Sequence, residues 1–356
     1  MAKELWKGDY AFAETAIRAG CRLFAGYPIT PTTELMEYMA THLPKAGGQF
    51  IQAENESNIP YILEGAAACG TYAFTTSSAP GTTMMQEGIA WASKYDIPAV
   101  LLHSQRYGGA TGTLHGEGQT DYKRDVTGGG QGDYHTIVFA PATIQECVDQ
   151  LYVSWELAYK YRVWVVLHMG RSLCHMYEAI ELPPYKEPQE RPAWCLNGKK
   201  HEFDPFCNYL NDPKEYVRLQ QERYNAIIAN EQRFDALGLE DADYVICAYG
   251  IPGRIAKQAV QELRAEGHKV GFIRPITIWP FPQKAFDQIN PDVKGLISME
   301  INDLGQMKED VALAGKKMNR DRNIPVYAFY QGEFFNGEEV KEYFYRLLRG
   351  EVAPEL

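Results

Sequence analysis

The chain has 356 residues, which exceeds one typical domain and predicts two or three. Charged residues make up 23% and hydrophobic residues 45%, as in globular proteins, and the net charge of −11 argues against a nucleic-acid or anionic-membrane surface. Because the sequence shows no apolar signal segment and no run of membrane-spanning length, we expect a cytoplasmic protein without a membrane span. The cysteines lack C-x-x-C spacing, which argues against an iron–sulfur cluster or a zinc site within this chain.

The first half of the chain alternates short apolar runs with amphipathic helical patterns. Buried strands are predicted at residues 21–25, 49–52, 72–76, 97–102, 137–139 and 163–167. The helices that follow are predicted to begin at the caps Thr32 or Thr33, Thr82 or Thr83, and Thr143. Strands that alternate with helices in this way predict a parallel α/β sheet.

The alternation stops between Tyr107 and His135, where glycines replace large apolar residues. A loop of this length in a compact domain is usually functional or disordered. His115, and Asp133 with His135, are candidates for proton transfer near neutral pH, although loop histidines more often hydrogen-bond the backbone. We therefore expect this glycine-rich segment to lie near a site.

The second half begins with a polar segment and continues with a second alternating unit. Residues 181–238 are rich in proline and charge, with a polar helical pattern from Pro213 to about Asn230. Strands are predicted at residues 244–248, 270–273, 296–299 and 326–329, with helices near 252–266, 305–317 and 337–348. These patterns predict a parallel-sheet domain over residues 1–184, a connector over residues 185–240 and a smaller α/β domain over residues 241–356.

Several segments that follow predicted strands carry polar side chains. Ligands bind in open α/β sheets beyond the carboxyl ends of the strands, so we expect these segments to meet there. They are residues 27–33, 54–56, 77–81 and the chain from Arg106 onward. Thr30 lies between two prolines that restrain the backbone on either side, although a stiff loop before a helix is an equally good interpretation.

Glu56 and Arg106 are the candidate charged groups of this edge. Glu56 opens a helix of small residues, and its structural alternative is an acid that binds the backbone N–H groups of the helix start. Arg106 ends an apolar strand, where a fixed guanidinium can bind a carboxylate. The alternative for Arg106 is a salt bridge to one of the loop acids, Glu117, Asp121 or Asp125.

Taken together, these segments resemble the α subunit of the 2-oxoacid:ferredoxin oxidoreductases, thiamine diphosphate enzymes that also need coenzyme A. The resemblance is colinear and covers nearly the whole chain, least clearly residues 185–240. The matching segments are Tyr-Pro-Ile-Thr-Pro at 27–31, Glu56 with the helix to Gly70, Ser-Ala-Pro-Gly at 78–81, Gln-Arg at 105–106, and residues 128–135, 248–250, 272–282 and 300–307.

The resemblance implies a fold and a set of roles. The fold would be α/β, with a pyrimidine-type thiamine-diphosphate-binding parallel-sheet domain and a smaller transketolase-C-terminal-like α/β domain. Glu56 would contact the aminopyrimidine, and Thr30 and Arg106 would hold the carboxylate and oxo group of the substrate, which makes these the catalytic residues. Further cofactor contacts would come from Tyr27, Pro28, Ile29, Ser78, Pro80 and Gly81, and further substrate contacts from Tyr107, Gly108 and His115.

The resemblance also implies partners, because this sequence lacks the Gly-Asp-Gly metal segment of the cofactor class and assigns no metal ligand. A β subunit would supply Mg²⁺ and the diphosphate half of the thiamine diphosphate site. Further γ and δ-type subunits would carry [4Fe-4S] clusters and help to bind coenzyme A, and ferredoxin or an NAD-linked module would accept electrons. We expect a hetero-oligomer, a dimer of heteromers, and no activity from this chain alone.

The substrate is the least determined feature. Residues 128–135 look like the branched-chain (2-ketoisovalerate) version of the family. Tyr107 and the missing proline in residues 107–115 depart from that version and leave aryl 2-oxoacids open, such as phenylglyoxylate or indolepyruvate, with 2-oxoglutarate ranked behind apolar substrates. A non-catalytic scaffold subunit and a transketolase-like decarboxylase without an electron acceptor are the alternatives of other classes.

Overall fold

The protein is described here from a computed structural model that covers residues 3–109, 113, 116–187, 190–199 and 212–356. The strands are β1 (Glu4–Lys7), β2 (Leu23–Gly26), β3 (Gln49–Gln52), β4 (Ala73–Ser78), β5 (Val100–Gln105), β6 (Ile137–Phe139), β7 (Val165–Gly170), β8 (Tyr177–Ile180), β9 (Phe234–Leu237), β10 (Tyr244–Cys247), β11 (Val270–Pro275), β12 (Thr277–Trp279), β13 (Gly295–Glu300) and β14 (Val326–Tyr330). The helices are α1 (Gly8–Arg18), α2 (Thr33–His42), α3 (Ile59–Ala68), α4 (Ala79–Met84), α5 (Gln86–Lys94), α6 (Tyr122–Thr127), α7 (Ile144–Tyr161), α8 (Ser172–His175), α9 (Pro213–Asn230), α10 (Gly250–Ala265), α11 (Gln283–Phe286), α12 (Lys308–Met318) and α13 (Gly337–Leu348).

The larger sheet has the strand order β12-β6-β7-β5-β4-β2-β3. Neighbouring strands are parallel, except that β12 is antiparallel to β6. Helices α1, α2 and α7 cover one face, and α3 and α5 cover the other, so every residue of β4 and β5 is buried. The predicted parallel α/β sheet is confirmed, and its central strands β5, β4 and β2 all direct their carboxyl ends to one edge.

Helix α7 shows how the sequence produces this layer. Its buried residues recur at the spacing of one helix face, and Trp155 donates its indole N–H to the carbonyl of Ala73 at 3.1 Å. The predicted cap is confirmed, since the Thr143 hydroxyl accepts the backbone N–H of Glu146 at 3.0 Å. The helix therefore attaches firmly across the back of β4.

The smaller sheet has the order β14-β13-β10-β11-β9, with β9 antiparallel to β11 and the other neighbours parallel. Helices α10 and α13 pack on one face. The other face shares one hydrophobic cluster with α3, α5 and the larger sheet. The predicted second, smaller α/β unit is thus confirmed.

Two strands cross the predicted domain boundaries. The segment Phe234–Leu237, predicted as connector, pairs with β11 of the smaller sheet. The segment Thr277–Trp279, predicted within the second domain, pairs with β6 of the larger sheet. The domain boundaries at residues 184 and 240 stay a prediction. After residue 240 the chain returns once to the larger sheet, as strand β12.

The predicted helix starts are partly wrong. Thr32 does precede α2, but its hydroxyl donates to the carbonyl of Ile29 at 3.3 Å rather than capping the helix. Thr82 and Thr83 lie inside α4, which already begins at Ala79 because Pro80 is favourable at a first helical turn. None of the helices in the described part of the chain has the length and hydropathy needed to cross a bilayer.

Candidate active site

The segments that follow β2, β3, β4 and β5 meet at the carboxyl edge of the larger sheet. Arg106, the residue after β5, donates from Nη1 to the carbonyl oxygen of Thr30 at 3.3 Å. Glu56, in the turn after β3, lies against Gly81, the third residue of α4. The predicted residues Thr30, Glu56, Gly81 and Arg106 are therefore brought together.

Glu56 is 7% exposed and begins a short 3₁₀ turn that spans Glu56–Asn58. The cap of this turn is Asn55, whose side chain accepts the backbone N–H of Asn58 at 3.3 Å. The backbone-binding role that is the structural alternative for Glu56 thus belongs to Asn55. The Glu56 carboxylate accepts no hydrogen bond from the described residues, and its oxygens keep some access to solvent, so a ligand can reach them.

Gly81 forms a close contact that no other residue type permits. A Cβ at this position would lie 2.2 Å from the Ser77 hydroxyl oxygen and 2.8 Å from Glu56 Oε1. The backbone of α4 can therefore approach the carboxylate only because residue 81 is glycine. A pocket wall made of bare backbone beside a carboxylate is well suited to a flat ring.

Buried hydroxyl and amide groups surround this wall. The side-chain oxygens of Ser77, Ser78, Thr82 and Gln105 are buried without hydrogen-bond partners among the described residues. Buried polar atoms are normally satisfied, so orphaned ones in a group indicate a polar ligand. Together with Glu56 they fit the hydrogen-bonding edge of an aminopyrimidine, and the donor set agrees with the cofactor that the sequence predicts.

Arg106 is 4% exposed and follows β5 at the point where β7 ends. Gln105 pairs with Gly170, so Arg106 and Arg171 leave neighbouring strands side by side. Burial lowers the pKa of Arg106, the charge of Arg171 lowers it further, and Asp121 and Glu56 oppose this effect. The edge of the sheet thus concentrates positive charge.

The loop acids that were the alternative partners of Arg106 have other contacts. Glu117 accepts the backbone N–H of Ser172 at 2.9 Å and its hydroxyl at 2.6 Å. Asp121 and Asp125 both pair with Arg124. These acids therefore hold the structure around the site, and the carboxylate-binding role of Arg106 stays a prediction.

The rim of the site is formed by the loop after β2. Tyr27 is 38% exposed and Pro28 is exposed, while Ile29 and Thr30 are half-buried, and the Thr30–Pro31 peptide is cis. Ser78 ends β4 and Pro80 lies in the first turn of α4. The predicted cofactor-binding residues thus form a floor at α4 and a rim at residues 27–30, although their roles stay predictions.

The predicted substrate residues Tyr107 and Gly108 lie toward the loop that follows β13. The Tyr107 hydroxyl donates to the carboxylate of Asp303, in the loop after β13, and its ring lies against Gly332. Gly108 lines a cavity of about 220 Å³ that also opens onto Asp303. His115 is outside the described residues. Tyr107 therefore connects the two sheets, and the structure gives no support to its substrate role.

His135 and Asp133 are remote from this edge. The imidazole of His135 stacks on Trp279 with ring centroids 4.4 Å apart and donates from Nδ1 to the carbonyl of Val126 at 2.9 Å. Burial lowers the pKa of His135. Asp133 is exposed and lines a separate cavity of about 330 Å³ with Trp91. The histidine thus packs against β12, and proton transfer by either residue stays a prediction without a contact to support it.

A buried cluster of charged side chains lies beneath the site and escapes sequence reasoning. His103 of β5 and His168 of β7 are register partners, and both donate from Nδ1 to the Asp125 carboxylate, at 2.5 and 2.7 Å. The available signal is that each of two adjacent apolar strands carries one histidine at the same register position. Neither strand alone predicts the acid from α6 that joins them.

These three groups have ligand types and spacing that could bind a metal ion. Arg124 argues against this interpretation, because its Nη2 lies 3.1 Å from His103 Nε2 and its Nε donates to Asp125 at 3.1 Å. Burial favours a higher pKa for Asp125, but the charges of His103 and Arg124 hold it well below its usual range. The guanidinium already supplies the positive charge that a cation would bring.

The comparisons with known proteins identify a family. The family model for the thiamine-diphosphate-binding region of pyruvate flavodoxin/ferredoxin oxidoreductases matches residues 14–233, and the model for core domain II of pyruvate:ferredoxin oxidoreductase matches residues 242–340. The ketoisovalerate oxidoreductase subunit VorB of Methanothermobacter marburgensis is 37% identical over 320 residues, which cover 88% of this chain and 90% of the relative. The 2-oxoglutarate synthase subunit KorA of Methanocaldococcus jannaschii is 34% identical over 348 residues, covering 89% and 93%.

Solved structures give the same result. The 2-oxoglutarate:ferredoxin oxidoreductase of Magnetococcus marinus, solved with 2-oxoglutarate, coenzyme A and succinyl-CoA, aligns with a TM-score of 0.83 at 25% identity. The match covers 97% of this chain but only 65% of that longer chain. A split-gene transketolase shares the fold, with a TM-score of 0.56 at 15% identity and coverage of 95% and 93%. This chain therefore belongs to the 2-oxoacid:ferredoxin oxidoreductases, as a subunit that contains the thiamine-diphosphate-binding region of that family.

Proposed function

We propose that this chain is the pyrimidine-binding catalytic subunit of a coenzyme A-acylating oxidoreductase that acts on 2-ketoisovalerate. The reaction would release carbon dioxide, form the acyl-CoA and pass two electrons to iron–sulfur clusters of partner subunits. The observation that carries the proposal is the Glu56 carboxylate, buried against the bare backbone of Gly81 and without a hydrogen bond from the described residues. The relatives named as ketoisovalerate oxidoreductases support the choice of substrate.

The chain's own residues would hold the cofactor and fix one proton. Thiamine diphosphate, when bound, supplies the carbon nucleophile and electron sink that 2-oxoacid decarboxylation needs. Glu56 would bind the aminopyrimidine edge and keep a proton there. Ser78, Pro80 and Gly81 would form the wall beside the ring, and residues 27–29 the rim. Orientation of this kind lowers a barrier by several kcal/mol, about 7 at the low end for well-placed groups.

Thr30 and Arg106 would hold the substrate. Arg106 is buried and tied to the loop of Thr30 by the hydrogen bond from Nη1 to the Thr30 carbonyl, so both groups are fixed relative to each other. A guanidinium binds the carboxylate of a 2-oxoacid through charge-assisted hydrogen bonds. The Thr30 hydroxyl would meet the adjacent oxo group.

Partner subunits would complete the site. The surface formed by α3, α4 and the end of α5 exposes Tyr61, Met84, Trp91 and Tyr95. Exposed patches of this kind mark protein interfaces. We propose that it receives the β subunit with its Mg²⁺ and diphosphate-binding groups, and that γ and iron–sulfur δ-type subunits supply coenzyme A binding and electron transfer to ferredoxin.

A 2-oxoglutarate substrate is the second candidate, and Arg171 favours it. This residue leaves β7 beside Arg106 and is close enough to lower its pKa. A second cation next to the carboxylate-binding arginine suits a substrate with a second carboxylate. An aryl substrate loses its support, because Tyr107 is engaged with Asp303 and does not face the site.

The test is Glu56→Gln in the purified heteromeric complex. We expect coenzyme A-dependent viologen reduction to fall by about 100-fold or more, because the amide cannot exchange the proton that a carboxylate holds. Glu54→Gln is the matched control, since Glu54 is an exposed acid two residues away. Substrate preference is read in the same assay from a panel of branched-chain, aryl and dicarboxylic 2-oxoacids.

Each outcome of this test separates the candidates. Near-normal turnover of the Glu56→Gln complex would contradict the cofactor assignment and favour a scaffold subunit. Decarboxylation without viologen reduction would favour a decarboxylase. A preference for 2-oxoglutarate over 2-ketoisovalerate that Arg171→Met reverses would establish the second candidate.

A further inference from the structure

Helix α6 joins the cofactor-binding wall to the smaller sheet. On one side, Arg124 donates from Nη1 to the Ala79 carbonyl at 3.0 Å and to the Thr83 hydroxyl at 2.8 Å. Both acceptors belong to α4, whose first turn contains Pro80 and Gly81. The guanidinium therefore contacts the backbone of the wall that faces Glu56.

The other side of α6 is bound to the loop and helix that follow β13. The Tyr122 hydroxyl donates to Asp310 at 2.9 Å, and the backbone N–H of Lys123 donates to the Gln306 side chain at 2.9 Å. Gln306 in turn donates to the carbonyl of Thr120 at 2.7 Å. These contacts fix the helix from the side opposite to α4.

The cluster beneath α6 fixes the orientation of Arg124. Asp125 accepts from Arg124 Nε, and its other oxygen accepts from His103 and His168. The guanidinium lies against the His103 ring and also pairs with Asp121 at 3.3 Å. Burying four ionisable groups is expensive unless each is paired, and here each is paired with another member of the cluster.

The same arrangement explains why the residue is arginine. A guanidinium offers five N–H donors in a fixed plane, so it can contact α4 and Asp125 together. An ammonium group is a single point charge on a flexible stem and cannot span both. The contact with Ala79 therefore depends on the shape of the side chain as well as on its charge.

We propose that Arg124 is a positioning residue for the reaction: it holds the first turn of α4 in the conformation that binds the cofactor ring. This inference rests on the proposed function. Its consequence is selective, because Arg124 touches the wall and leaves the Thr30–Arg106 substrate contacts alone. Loss of the guanidinium weakens cofactor binding and loosens residues 79–84, while recognition of the 2-oxoacid is kept.

The experiment compares Arg124→Met, Arg124→Lys and Thr83→Val with Lys123→Met in the whole complex. Lys123 is the matched control, because it lies on the same helix but pairs with Glu309 on the outer surface. The first readout is amide hydrogen exchange of residues 79–84 in complex freed of cofactor. We expect exchange at least about tenfold faster in both Arg124 variants, an intermediate change in Thr83→Val and none in Lys123→Met.

The second readout is calorimetric titration with thiamine diphosphate, combined with the KM for the 2-oxoacid. We expect the dissociation constant to rise about tenfold in both Arg124 variants, with KM changed less than about twofold. Unchanged exchange at residues 79–84 in Arg124→Met, or an equal rise in KM, overturns the proposal. If Arg124→Met does not fold, Arg124→Lys and Thr83→Val decide by the same criteria. If the unmodified complex binds no thiamine diphosphate, the proposed function fails and the exchange result still decides for Arg124.

Discussion

Single residues at the carboxyl edge explain much of what this chain can do. Asn55 caps the turn and so frees Glu56 from a structural role, and Tyr107 is drawn away from Arg106 by its bond to Asp303. The substrate roles of Tyr107 and Gly108 therefore have no supporting contact in the structure, and they stay predictions.

Asp9 is a buried acid that sets a dependence of stability on pH. It is fully buried at the start of α1, and burial raises its pKa to about 8, with the Cys174 thiol only partly offsetting this effect. The folded protein therefore keeps a proton that the unfolded chain releases from about pH 4 upward. The contribution of Asp9 to the free energy of unfolding is therefore largest at low pH, and it decreases as the pH rises toward 8.

We expect Asp9→Asn to flatten the decline in stability between pH 5 and pH 8. One proton accounts for a slope of at most about 1.4 kcal/mol per pH unit in the free energy of unfolding. Urea unfolding at several pH values measures it, with the exposed Asp133→Asn as the control. An equal slope in the Asp9→Asn variant would show that this carboxyl is ionised in the folded protein.

At the scale of elements, the junction between β4 and α4 is the most constrained part of the fold. The strand ends in buried hydroxyls and the helix starts at once, with Pro80 in its first turn and Gly81 against Glu56. Sequence patterning predicts the strand and the turn. It places the helix start too late, because Thr82 and Thr83 have the residue type of a cap, whereas the helix already begins at Ala79 with Pro80 in its first turn.

Gly81→Ala tests this junction directly. The added methyl group would lie within 3 Å of both Ser77 and Glu56, so the helix start must shift. We expect the dissociation constant for thiamine diphosphate to rise by about tenfold or more, measured by titration calorimetry on the complex.

Gly65→Ala is the control for this substitution. Gly65 lies in α3, where a Cβ would meet open space, so alanine should stabilise the isolated chain by roughly 0.5–1 kcal/mol. Unimpaired cofactor binding by the Gly81→Ala complex would mean that the ring does not approach this backbone.

Elements that are defined by local periodicity could be predicted from the sequence, whereas elements that are defined by pairing with distant residues could not. Strands such as β10 and β13 and the helices α7, α9 and α13 follow from local periodicity and agree with the sequence. The short strands β9 and β12 do not, because they depend on pairing with partners that lie far away in the chain. The histidine cluster escapes for the same reason, since its acid comes from a helix inside a glycine-rich segment.

At the scale of the whole molecule, the two sheets are interlocked through Gln119. Its backbone N–H donates to the carbonyl of Ile301 at 2.6 Å, its side chain accepts the N–H of Ile301 at 2.9 Å and donates to the carbonyl of Tyr249 at 3.2 Å. These groups are buried between the sheets. The sheets are therefore coupled by hydrogen bonds as well as by a shared hydrophobic cluster.

We expect Gln119→Ala to lower the free energy of unfolding by about 1–3 kcal/mol, because the Ile301 N–H loses its acceptor in a buried site. Differential scanning calorimetry should show one transition for the unmodified chain and a broader or split one for the variant. Gln131→Ala, at an exposed position, should leave the scan unchanged. A sharp single transition at the original temperature in Gln119→Ala would mean that the Gln119 side chain does not couple the two sheets.

Strand β12 has a consequence for how this protein is made. Residues Thr277–Trp279 pair with the outer edge of β6, so β6 keeps an unpaired edge until this part of the chain has been synthesised. An unpaired strand edge is a template for pairing with another chain. Nascent chains that stop before residue 277 should therefore aggregate or recruit chaperones, and pairing over so long a separation makes folding slow. The order of translation therefore places this strand of the larger sheet long after β6, the strand with which it pairs.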